Sequence, residues 1–85
     1  MQQFTYTITD PIGIHARPAG LLVKAAKGLD SAVTIQTGDR AVPATQLMNL
    51  MSMGIKQGDQ VTVTIEGGDE EASRKAMEQF FQEAL

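Results

Sequence analysis

Apolar and polar residues alternate from Phe4 to Thr9, with Phe4, Tyr6 and Ile8 on one side and Thr5, Thr7 and Thr9 on the other. This pattern predicts a half-buried strand. Asp10-Pro11-Ile12-Gly13 breaks it, because proline lacks a ladder donor and glycine tolerates a sharp turn. Ala19, Leu22, Val23 and Ala26 then recur at three- and four-residue intervals, which predicts one buried face of a helix from about Ala16 to Lys27. Pro18 fits the first turn of that helix, where its missing N–H has no intrahelical acceptor, and Gly28 fits just past its end. Val33 and Ile35 alternate with Thr34 and Gln36, Thr37-Gly38-Asp39-Arg40 reads as a tight turn, and Ala41 to Pro43 returns as a short strand. Pro43 puts that strand at a sheet edge.

Thr45 can cap a short helix running through Ser52, with Gly54 ending it; the helix carries Leu47, Met48, Leu50, Met51 and Met53, more apolar residues than one inward stripe needs. After the Gln57-Gly58-Asp59 turn, Val61, Val63 and Ile65 alternate with Thr62 and Thr64 in the clearest strand of the chain. Asp69 suits an N-cap, Glu70 and Glu71 suit the positive first turn behind it, and Ala76, Met77, Phe80, Phe81 and Ala84 form the expected buried stripe of a last helix. The predicted order is βαββαβα, an α+β fold with an open sheet covered on one side by helices.

A chain of 85 residues without a detectable repeat is read as one domain spanning residues 1–85. It has no cysteine, which removes thiolate catalysis, thiolate zinc sites and disulfides together. Seven basic against ten acidic residues give a formal charge of −3, and no basic stripe with interleaved aromatics appears, so nucleic acid is not the expected ligand. No apolar run approaches the ~18 residues of a membrane span, and the first residues lack the basic start of a signal peptide. A cytoplasmic protein with a small charged ligand or a protein partner is expected.

His15 is the only histidine, and it precedes the first predicted helix. A helix start offers N–H groups without intrahelical partners and roughly half a positive charge from the macrodipole. That end welcomes anions and disfavours a cationic ring, which leaves an imidazole nitrogen lone pair free for phosphoryl chemistry. Arg17 adds a fixed cation whose donor fork suits phosphate oxygens. Taken alone, a histidine before a helix is more often a cap or a surface residue than a nucleophile.

Gly13-Ile14-His15-Ala16-Arg17-Pro18-Ala19, together with Met51-Ser52-Met53-Gly54, the Gly58-Asp59 turn and Gly67, resembles the HPr family, the histidine phosphocarriers of the sugar phosphotransferase system. The likeness covers essentially the whole chain. It implies an open-faced β-sandwich with a four-stranded antiparallel sheet and three helices. It also implies that His15 accepts a phosphoryl group from phosphorylated enzyme I, through Nδ1, and passes it to IIA domains of sugar transporters. By the same resemblance Arg17 matches the family's phosphate-side arginine, and Ala16 and Arg17 lend their backbone N–H groups. Gly20, Leu21, Leu47, Met48, Met51 and Ser52 fall where family members dock partners, with Lys24 and Lys27 on the same side. Leu50 is assigned to the core. Transcriptional regulators are a further class of partner. The expected protein is a monomeric phosphocarrier intermediate rather than an independent enzyme, with no metal and no cofactor.

Three positions depart from the family pattern. Gln46 stands where regulated members carry a serine that a dedicated kinase phosphorylates, so no regulation at that position is expected. Ile12 replaces a small polar residue beside the histidine loop and removes one possible hydrogen bond. Thr45 and Asn49 replace positions often basic in the family, which weakens electrostatic docking. These departures motivate a second reading, a regulatory interaction module that keeps the fold and the docking face without routine phosphate relay. A stand-alone anion-binding domain ranks below both, because one histidine and one arginine define no specific small-molecule pocket.

Overall fold

The computed structural model describes residues 1–85. Strand β1 (Gln2–Thr7) leads into helix α1 (Ala16–Lys27), followed by β2 (Ala32–Thr37), β3 (Arg40–Pro43), α2 (Leu47–Ser52), β4 (Gln60–Glu66) and α3 (Glu70–Ala84). The strands form one antiparallel sheet in the order β1-β4-β2-β3. Alternation along the central β4 explains its place: Val61, Val63 and Ile65 are fully buried, while the threonines between them face the open side. All three helices cover the opposite, apolar face, giving the open sheet covered on one side that the periodicity predicts and the open-faced β-sandwich that the resemblance implies.

Seventeen buried apolar residues make a continuous core between sheet and helices. Phe81 of α3 is fully buried at its centre and meets Phe4, Tyr6 and Phe80 edge-on, with ring centroids 5.9, 5.5 and 6.0 Å away. Edge-to-face pairs of this kind add roughly 0.5–1.5 kcal/mol each beyond the burial of area. Ser31 and Ser73 are the buried polar residues, and the Ser31 hydroxyl is satisfied by the Ser73 Oγ at 2.8 Å and the Gly67 carbonyl at 2.6 Å. A buried hydroxyl pair is tolerated when it is bonded in this way.

Several local boundaries differ from those expected. β1 ends at Thr7 rather than Thr9, because its ladder runs from Gln2 opposite Ile65 to Thr7 opposite Gln60, where β4 begins. Ile8 and Thr9 instead bond to Asp59 and Leu85. Gln46, not Thr45, occupies the N-cap of α2, and its side chain makes no capping bond. The turn after β3 consumes Ala44 and Thr45, with the Gln46 N–H bonded to the Pro43 carbonyl. On α3 the buried stripe is Ser73, Met77 and Phe81; Ala76 is exposed. A four-residue spacing centred on Phe81 selects Ser73 over Ala76, and the Ser31 partner makes that burial possible. Pro43 does lie on an edge strand, since β3 pairs only with β2.

Candidate functional site

The loop between β1 and α1 is held from two sides. The Gly13 N–H closes a turn onto the Asp10 carbonyl at 3.0 Å, and the Asp10 carboxylate accepts from the Ile12 N–H at 2.9 Å. On one flank the Ile14 N–H donates to the Ile55 carbonyl at 3.1 Å, and Ile14 and Ile55 are both buried. On the other flank the Thr9 and Asp10 N–H groups donate to a main-chain oxygen of Leu85, at 2.6 and 2.8 Å, and the Thr9 hydroxyl joins them at 3.0 Å. Ile8, Ile14 and Leu85 anchor these ties in the core. A loop bonded this often holds the residue that follows it in a defined place.

That residue is His15, the N-cap of α1. Its backbone is extended (φ −110°, ψ −171°), its carbonyl accepts the first helical bond from the Ala19 N–H at 2.9 Å, and its side chain makes no capping bond. The imidazole is therefore not spent on the helix end, unlike an ordinary N-cap side chain. The N–H groups of Ala16 and Arg17 have no intrahelical acceptor, and Pro18 has no N–H to leave open. No acidic side chain occupies the first turn, while Lys24 and Lys27 sit in the last. The positive end of the helix dipole thus remains available to an anion.

His15, Arg17, Pro18 and Leu21 line an open cleft of about 370 Å³ together with Asp10, Glu83 and Ala84. The loop after β1, the first turns of α1 and the last turn of α3 meet there. His15 is half-buried and Arg17 exposed. Arg17 takes part in none of the ion pairs, which link Met1 to Glu70, Arg74 to Glu78 and Lys75 to Glu71. Its guanidinium is accordingly free to meet an incoming oxyanion. The sequence reading brought His15, Ala16 and Arg17 to one place but missed the two carboxylates. Asp10 reads locally as part of a strand breaker, Glu83 lies outside the expected apolar stripe of the last helix, and only the docking of α3 joins them.

The residues expected to dock partners are displayed as follows. Leu21, Leu47, Met48 and Met51 are exposed, Met48 most of all at 75%, whereas Leu50 is fully buried. Lys24 and Lys27 are exposed and Gly20 is half-buried. Helices α1 and α2 pack against each other, and Leu21 lines the His15 cleft beside the last turn of α3. Ile12 adds a further apolar side chain, 68% exposed, on the histidine loop. Ser52 is exposed but engaged: its hydroxyl donates to the Asn49 carbonyl at 2.8 Å and accepts from the Arg40 guanidinium at 3.1 Å. Gln46 accepts a hydrogen bond from the Asn49 side chain across one turn of α2.

Comparison with known proteins gives a consistent result. The family model described as "PTS HPr component phosphorylation site" matches residues 2–83. Phosphocarrier protein HPr of Lysinibacillus sphaericus is 38% identical over 77 residues, covering 91% of this chain and 88% of that protein. Among solved structures, an HPr from Thermoanaerobacter tengcongensis is 34% identical and superposes with a TM-score of 0.92, covering 99% of this chain and 94% of its own. The catabolite repression containing protein Crh of Bacillus subtilis, solved as a swapped dimer, is 30% identical with a TM-score of 0.77, covering 100% of this chain and 98% of its own.

Proposed function

This chain belongs to the HPr family of phosphocarriers of the phosphotransferase system, and on that premise we propose that His15 is its phosphoryl acceptor, charged by phosphorylated enzyme I and discharged to IIA domains of sugar transporters. The observation that carries this reading is the meeting of an uncommitted imidazole, a free guanidinium and unpartnered helix-start N–H groups at one open cleft. A nitrogen lone pair of the His15 ring attacks the donor's phosphorus in line. The new N–P bond forms as the donor's P–N bond breaks, and the donor nitrogen keeps the electron pair. Arg17 and the Ala16 and Arg17 N–H groups hold the phosphoryl oxygens through the transfer, so the protein contributes position and charge rather than further covalent chemistry. The reverse sequence delivers the group to the acceptor.

Docking falls to Gly20, Leu21, Leu47, Met48, Met51 and Ser52, with Lys24 and Lys27 beside them. Exposed methionines repack readily, which suits a surface that must meet a donor and several acceptors in turn. Incubation with enzyme I and phosphoenolpyruvate is expected to add one acid-labile phosphate to the wild type and none to His15→Ala. Retention of the label by His15→Ala would refute the assignment.

The likeness to Crh supports a second reading, in which the same face binds a regulatory protein without routine relay. A target bound equally well by wild type and His15→Ala, with no phosphorylation of either, would select it.

A further inference from the structure

The charged groups lining the His15 cleft are two carboxylates and one guanidinium, Asp10, Glu83 and Arg17. Apart from the imidazole, the wall therefore has two acidic side chains against one basic one, which is unexpected for a place that receives an anion. The local helix end is positive, as the free N–H groups require, so the carboxylates oppose it from the other two elements that form the cleft: Asp10 from the loop after β1, Glu83 from the last turn of α3. Neither is neutralised by a salt bridge. Their hydrogen bonds are local. Asp10 accepts from the Ile12 N–H at 2.9 Å, and Glu83 accepts from the Gln79 side chain at 2.9 Å.

Resting on the assignment of His15 as acceptor, we propose that Asp10 and Glu83 set the transfer potential of the phosphorylated protein, by repelling the phosphoryl dianion that Arg17 and the helix start attract. A carrier needs both terms. Attraction alone would stabilise the phosphohistidine and stall delivery, whereas repulsion from the two carboxylates raises its free energy and returns the group to an acceptor. The same negative wall disfavours free inorganic phosphate and sugar phosphates, so the cleft holds a phosphoryl group only when it is covalently attached. Both carboxylates are at least partly open to solvent, which makes the effect moderate and dependent on salt.

The equilibrium of phosphoryl exchange between this protein and enzyme I tests the proposal cleanly. An equilibrium constant does not depend on how well the two proteins dock, so a change in it reports the phosphorylated and free states of the carrier alone. Asp10→Asn and Glu83→Gln remove charge while keeping a side-chain oxygen to accept the bonds from Ile12 and Gln79. The phosphorylated fraction is measured at fixed ratios of phosphoenolpyruvate to pyruvate, for each variant and for the pair. The double variant is expected to shift the exchange constant toward the phosphorylated carrier by roughly three- to tenfold at low ionic strength, falling below about twofold near 1 M salt. Glu83→Gln alone is expected to give part of that shift, and it carries the test should Asp10→Asn disturb the loop. A constant unchanged within about twofold at low salt, or a shift that survives high salt, overturns the proposal. Failure of the wild type to accept phosphate at all would instead overturn the assignment of His15, so the two failures are distinct.

Discussion

Gly13 lies against the carbonyl of Ile55 so closely that a Cβ added to it would fall 2.4 Å from that oxygen and 2.7 Å from the Lys56 Cα. Its φ of +78° is in the left-handed region as well. The contact fixes the approach of the histidine loop to the loop before β4, and no side chain can be accommodated without moving one of the two backbones. Gly13→Ala is expected to cost about 2–4 kcal/mol, combining backbone strain with overpacking. Gly20→Ala, a helical position with no heavy atom within 4 Å of the added carbon, is expected to gain about 0.5–1 kcal/mol. Urea denaturation of the two variants checks the contrast. A Gly13→Ala variant as stable as the wild type would mean that the loop is free to move.

Arg40, at the start of β3, donates to both the carbonyl and the hydroxyl of Ser52, each at 3.1 Å. Helix α2 has only six residues and buries only Leu50, so it depends on such outside partners for its last carbonyls. Because the pair is exposed, Arg40→Ala is expected to lower global stability by less than about 1 kcal/mol. Its larger effect is local: amide hydrogen exchange in residues 50–54 should accelerate while β4 keeps its protection. Uniform acceleration across the chain would show that Arg40 supports the whole fold rather than the end of α2.

Legibility in the sequence followed the range of the interaction involved. The β4 alternation, the α1 stripe and the edge position of β3 are properties of neighbouring residues, and the structure agrees with each. Pro18, tolerated only in a first turn, also located the helix start that carries His15. Boundaries set by a distant partner were lost. β1 stops where β4 starts, and Ser73 displaces Ala76 from the buried stripe because Ser31 waits beneath it. Asp10 and Glu83 are the clearest case, since neither has a local signature and their common cleft exists only once α3 packs beside α1.

Leu50 and Met48 separate stability from recognition within a single turn of α2. Leu50 is fully buried and Met48 is 75% exposed. Leu50→Ala is expected to cost about 2–5 kcal/mol through lost burial and a residual cavity. Met48→Ala should leave stability within about 0.5 kcal/mol, while raising the KM for phosphorylation by enzyme I roughly fivefold without changing kcat. Thermal melts together with steady-state phosphorylation distinguish the two. An unaltered KM for Met48→Ala would remove this residue from the docking face.

Glu70 links the first turn of α3 to the start of the chain. Its carboxylate pairs with the Met1 ammonium at 2.8 Å and accepts from the Gly67 N–H at 2.7 Å. The Met1 hydrogen bond, the Gly67 hydrogen bond and the attraction of the Met1 charge hold this carboxyl below its ordinary range. In turn the hydrogen bond to Glu70 and its charge raise the amine. A carboxyl depressed on folding adds stability that is fully present above its unfolded value and disappears as pH falls through the lowered folded value. For the amine the sense reverses: its contribution is complete below the unfolded value and disappears as pH rises through the raised folded value. The advantage of wild type over Glu70→Gln in Tm is therefore expected to be flat near neutrality. It should narrow on acidification through the carboxylate range and again on the alkaline side beyond the ordinary range of an α-amine. The pair is accessible to solvent, so added salt should shrink the whole difference. Melting both proteins from pH 3 to pH 10 checks this, and a difference in Tm that stays constant across that range would show that Glu70 acts through packing or helix propensity instead of its charge.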